Sequence, residues 1–195
     1  LALALALALA LRAQRAPAAP DAGASATTRA TVEARLRQAR QGLSTTDLAE
    51  LGATGGVFLV EIADDKAAAA PIRLRAMAGL AYVRTPAAHD FLENFLIRKR
   101  PSSDPLDRAL LRKAAVALGW QAGPRSVEIL ATLLDQADAE VRLDAVVALG
   151  LTRARSAEKP LRDRLSGEPD AAVRAQIENQ LKVLVGPGEK SGGGP

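Results

Sequence analysis

The chain contains no cysteine. Disulfides, thiol nucleophiles and cysteine-based metal sites are therefore excluded, and redox chemistry leaves the compartment open. There is one histidine, His89, beside Asp90. A lone imidazole without thiolates cannot build a His-rich metal centre, and no Ser–His–Asp spacing accompanies it. His89 is expected to be an ordinary surface residue, and neither metal nor cofactor is expected. No glycine-rich phosphate loop occurs, because the Gly55-Gly56 pair lacks a following lysine or further glycines. Glu61, Asp64 and Asp65 read as a helix end and not as a cation site. Aromatic residues make up only 3% of the chain, so Leu, Val, Ile and Ala must fill the core.

Charge of one sign is also scarce. The net charge is +4, from 26 basic and 22 acidic residues, and six of the former with four of the latter precede residue 57. The remainder is nearly balanced. A nucleic-acid binder clusters its cations on one face and supplies aromatics for stacking, and neither feature occurs here. No nucleic-acid partner is expected.

What the chain has in abundance is alanine, leucine and arginine, residues that lose little side-chain freedom in a helix. Its 195 residues suit one domain with tails. Residues 1–11 are wholly apolar Leu and Ala, followed by Arg12 and Arg15, then Ala16-Pro17-Ala18 with the small residues of a cleavage site. Residues 1–26 are expected to be an export signal, or a retained membrane anchor, plus a Pro/Ala linker. Eleven helical residues cover about 16 Å, short of a bilayer core of roughly 30 Å. The first residue is Leu1, not Met, and further sequence is expected upstream. The protein is expected to be exported, periplasmic or anchored facing the periplasm. Residues 186–195, GPGEKSGGGP, have no periodicity and are expected to form a disordered tail.

Between these ends the sequence repeats. LLRKAAVALGW (Leu110 to Trp120) aligns with VRLDAVVALGL (Val141 to Leu151), so that Ala114, Ala117, Leu118 and Gly119 match Ala145, Ala148, Leu149 and Gly150. IRLRAMAGLAY (Ile72 to Tyr82) and, more loosely, VRAQIENQLKV (Val173 to Val183) fall into the same register. The intervening segments carry the pairs Leu92/Leu96, Leu130/Leu134 and Leu161/Leu165. Each pair is i, i+4 and marks one helix face. Breakers at Thr85-Pro86, Gly123-Pro124 and Gly167 to Pro169 separate the blocks, and Asp107, Asp138 and Asp170 are placed to cap second helices. Helices are predicted near 57–66, 69–83, 87–98, 106–120, 125–137, 139–151, 156–167 and 171–185. Two more, near 30–41 and 45–52, make a degenerate N-terminal pair. The domains expected are therefore 27–56 and the repeat domain 57–185.

Asp138-Ala139-Glu140-Val141-Arg142 with Ala145 and Ala148-Leu149-Gly150, echoed by Asp170-Ala171-Ala172-Val173-Arg174, resembles the HEAT repeat family in its short bacterial form. The resemblance covers about residues 69 to 185. It implies an all-α fold, an α-solenoid of stacked antiparallel helix pairs with second helices lining a concave face. The function it implies is a non-catalytic scaffold that binds a protein partner. An accessory protein of the HEAT-like lyase or chaperone type, such as those handling bilins, is the alternative, with a nucleic-acid-binding HEAT protein behind it. In the last repeat Ile177, Gln180 and Lys182 replace Ala145, Ala148 and Gly150, as a C-terminal cap would require.

Within that frame Leu74, Arg112, Val116, Leu143 and Val147 fall on the face opposite the core, about 100° per residue along each helix. Either this face is a partner groove or the helices are buried all round. Tyr82 and Trp120 share a column with Leu151 at the ends of second helices, where they either close a turn or form a binding hot spot. Arg73, Arg142 and Arg174 form another column, read as an Asp–Arg ladder with Asp138 and Asp170 or as an anion site. The segment 97–106 carries seven extra residues and the cations Arg98, Lys99 and Arg100, a candidate recognition loop or a solvated connector.

Overall fold

The computed structural model describes residues 27–39, 43–123 and 125–185. The apolar run, the Pro/Ala stretch and the Gly-rich tail lie outside them. The described residues are all-helical, without a strand. The elements are α1 (Arg29–Gln38), α2 (Thr45–Asp64), α3 (Ala70–Gly79), α4 (Pro86–Lys99), α5 (Pro105–Gln121), α6 (Ser126–Ala131), α7 (Ala139–Leu151), α8 (Glu158–Leu165) and α9 (Ala171–Val185). Among the described residues no helix is long and apolar enough to cross a membrane.

Local chemistry starts most of these helices. Ser44 and Asp47 form a reciprocal capping box at α2, and Thr85 accepts a bond from the Ala88 amide in front of Pro86. Asp138 accepts from Glu140 N at 2.9 Å, and Asp170 accepts from the Ala172 and Val173 amides. At α5 the expected cap is displaced: Asp104, not Asp107, accepts the bond, from Asp107 N at 2.8 Å. Pro105 favours the first helical position, which puts Asp107 inside the first turn, where its carboxylate takes Lys99 and Ser102 instead.

The helices predicted at 45–52 and 57–66 are both present within α2, which is broken at Gly52, whose φ of 61° and ψ of −164° are open essentially to glycine alone; the second helix starts directly after that break and not at residue 57. Half of the long segment 97–106 is helical, because α4 continues to Lys99 and α5 begins at Pro105, leaving 100–104 as the connector.

The helices pack as two rows. α3, α5, α7 and α9 each contact the next, while α2, α4 and α6 follow one another on the other side. The leucine pairs supply the seam: Leu92, Leu96, Leu130, Leu134 and Leu161 are buried and Leu165 half-buried. Small residues set the spacing of the first row. A Cβ at Gly119 would lie 2.5 Å from the carbonyl oxygen of Ala148, so α5 and α7 touch backbone to backbone. At the next step Gln180 lies over Gly150. Its polarity therefore faces the preceding helix and does not mark an outer, capping surface.

The arginine column is a set of clasps and not an Asp–Arg ladder. Arg142 donates to the carbonyls of Gln136 and Ala137, and Arg174 to those of Glu168 and Pro169, both reaching five and six residues back. Arg73 donates to Ala63 O. Each guanidinium thus satisfies carbonyls that the preceding turn leaves free. Arg142 also pairs bidentately with Glu168 at 2.7 and 2.9 Å, and both are about 95% buried. Arg142 is thus engaged through all three nitrogens, Arg73 through Nε and Arg174 through Nη1. Asp138 has a different cation, Arg108, at 3.4 Å.

Candidate functional site

The residues singled out beforehand divide into three places. Tyr82 and Trp120 come together with ring centroids 6.5 Å apart and planes tilted by 31°. They are 49% and 44% exposed, so the pair faces solvent and does not plug a turn. Their placement follows from the ends of α3 and α5. Leu80 is buried and anchors a 3₁₀ turn that turns Tyr82 outward. Gln121, one residue beyond Trp120, donates to Leu80 O at 2.6 Å and to Val83 O at 3.0 Å. That amide ties the two helix ends and fixes one ring beside the other.

A cleft opens on each side of the pair. One, of about 460 Å³, lies under the Gly52 bend and is lined by Leu48, Ala49, Ala53, Val83 and Arg84 as well as both rings. The other, of about 280 Å³, is lined by Leu43, Ala78, Arg112, Lys113, Val116 and Asp144 with the same two rings. Arg112 and Val116 therefore join Tyr82 and Trp120 in one place. Leu74 and Leu143 do not line these clefts; they are half-buried against the core. Val147 is half-buried on α7 and lies outside both clefts.

Arg112 is not a loose charge. Its Nε donates to Asp144 at 2.6 Å and it also pairs with Glu140, so it bridges α5 to α7. Burial works against its charge, and the Asp144 bond with the Glu140 and Asp138 charges outweighs that, raising the guanidinium above its ordinary value. The basic segment is also largely engaged. Lys99 bonds Asp107 at 2.8 Å, and Arg98 pairs with Asp64 at 3.5 Å. Burial opposes ionisation of Asp107, but the Lys99 and Ser102 bonds hold it below the usual carboxylate range. Arg100 is exposed at the end of α4.

The side chains least visible in the sequence surround His89, which is not an isolated surface residue. Its Nδ1 lies 3.2 Å from Gln121 Oε1 and its Nε2 3.3 Å from the buried Glu93, which also faces Arg125 at 3.6 Å. The i, i+4 spacing of His89 and Glu93 was the available signal. Gln121, from another helix, carried none. Among the described residues no three His, Cys, Asp or Glu side chains gather to hold a metal ion.

Compared with protein-family models and with curated proteins, the chain matches none of either.

Proposed function

We propose that the two helix rows are a HEAT-like α-solenoid and that the protein is a non-catalytic scaffold, exported to or anchored facing the periplasm, which holds a protein partner. The observation that carries this reading is the exposed Tyr82–Trp120 pair between two clefts. Paired aromatics with large apolar faces and free polar edges are enriched among residues that dominate binding. The clefts gather mostly small and apolar side chains, with the Arg112–Asp144 ion pair and the exposed cations Arg84 and Lys113, which favours holding a segment over transforming one.

The test is a pull-down from cell envelope with the full chain as bait, beside Trp120→Ala and Val147→Glu. Loss of one defined protein with Trp120→Ala, and its retention with Val147→Glu, is the expected result. Loss with Val147→Glu alone would move the surface to the open face of α7. Catalytic turnover of the captured protein would overturn the scaffold reading.

A further inference from the structure

The charges around the aromatic pair are lopsided. The side chains lining its two clefts include three cations, Arg84, Arg112 and Lys113, against a single carboxylate, Asp144. Asp144 is consumed by Arg112 at 2.6 Å. Arg84 and Lys113 are exposed, and among the described residues neither has a charged partner; Asp90, which borders the same rim as Arg84, stays beyond ion-pair distance. One unpaired cation therefore stands in each cleft, with the rings between them. The indole N–H of Trp120 and the hydroxyl of Tyr82 likewise have no hydrogen-bond partner among the described residues.

We infer that this groove takes an extended acidic segment of a partner protein, with an apolar centre on the Tyr82 and Trp120 rings and carboxylates towards Arg84 and Lys113. The inference rests on the scaffold reading and gives it a partner chemistry. Clefts of about 460 and 280 Å³ are sized for a few side chains each, which suits a strand-like segment better than a folded surface. An extended chain presents backbone carbonyls that the indole N–H and the phenol can meet, the way aromatic grooves hold proline-containing segments. The flanking cations add selection by charge.

Trp120 is the only tryptophan, so intrinsic emission of the full chain reports on this groove alone. The probes are capped peptides with a Pro-Leu-Pro centre flanked on both sides by glutamates, by serines or by lysines. The glutamate peptide is expected to shift and quench the emission and the lysine peptide to leave it unchanged. Replacing both cations, Arg84→Ser with Lys113→Ser, should weaken the glutamate peptide about fivefold, the effect of two exposed ion pairs, and spare the serine peptide. Tyr82→Ala should weaken both. Circular dichroism checks that each variant keeps its helicity. Equal binding of all three peptides, or none by the glutamate peptide, overturns the inference. So does a shift produced instead by vesicles containing phosphatidylglycerol, or by raising the protein concentration, which would assign the groove to a membrane or to a second copy. If a protein from the envelope is still lost with Trp120→Ala while the glutamate peptide fails, only the acidic chemistry falls. If nothing is captured either, the scaffold reading falls with it.

Discussion

Glu168→Gln is the perturbation that most directly tests how the last helix pair is attached. Glu168 is 4% exposed and accepts from Arg142 and Arg164, and its carboxylate also takes the Asp170 amide. The Arg142 bonds lower its pKa most; burial opposes them, and Arg164 and the amide assist, for a net fall from 4.5 to about 2. A depressed carboxylate stabilises the fold above its unfolded value and loses that contribution as pH falls through the folded value. A fall of that size corresponds to about 3 kcal/mol at pH 7, about half of it remaining at pH 3 and almost none below pH 2. The glutamine keeps the shape but leaves the Arg142 charge buried without a counter-ion, and breaking such a pair costs about 3–5 kcal/mol. Urea unfolding of both proteins at pH 7, 5 and 3 measures the difference directly, because other titrating groups cancel. The expected gap of about 3 kcal/mol at pH 7 should narrow by about half at pH 3. A gap under about 1 kcal/mol at pH 7, or one that does not narrow with acid, would refute the buried-pair argument.

Leu149 is fully buried in α7, and Leu149→Ala should cost about 2–5 kcal/mol by the same urea assay; a change within error would place the residue outside the core. Gly119→Ala should destabilise by about 1–3 kcal/mol although alanine favours helix, because its methyl would meet the Ala148 carbonyl oxygen at 2.5 Å. A stabilised variant would show that α5 and α7 separate freely. Gly52→Ala has open space around its methyl, so its cost of about 1–2 kcal/mol comes from backbone conformation alone. Equal stability of this variant would mean that α2 is not bent there.

The helices were legible because each carries its own signals. The leucine pairs at i, i+4 gave the buried faces, and Thr85-Pro86, Asp138 and Asp170 gave the starts, all within one turn of chain. The misses are long-range. Arg142 and Glu168 are 26 residues apart and meet only once α7 and the turn before α9 are packed. An Asp in the same column as the arginine was the nearer suggestion, but Asp138 gives Oδ1 to a helix amide and Oδ2 to Arg108, and Asp170 gives Oδ1 to two helix amides. Tyr82 and Trp120 were visible as a column, while what aligns them, Gln121 reaching back to residues 80 and 83, depends on how α5 crosses the end of α3. Arg84 and Lys113 carry no sequence signal, because an exposed cation looks the same in sequence whether or not a carboxylate stands beside it. The break at Gly52 coincides with the expected end of the helix at 45–52, where a glycine interrupts the helical pattern.

On the solenoid reading proposed above, the junctions between helix pairs decide where a whole pair could be removed or inserted. The Arg142–Glu168 contact makes one junction here uneven. Deleting the pair after α7 would strand a buried guanidinium as well as bare the surface that Val173, Ile177 and Leu181 cover. A duplicated unit inserted at that point would have to bring its own glutamate in the turn before its second helix. At the upstream end of the arginine column the demand is lighter, because Arg73 rests on a main-chain oxygen that any residue can supply.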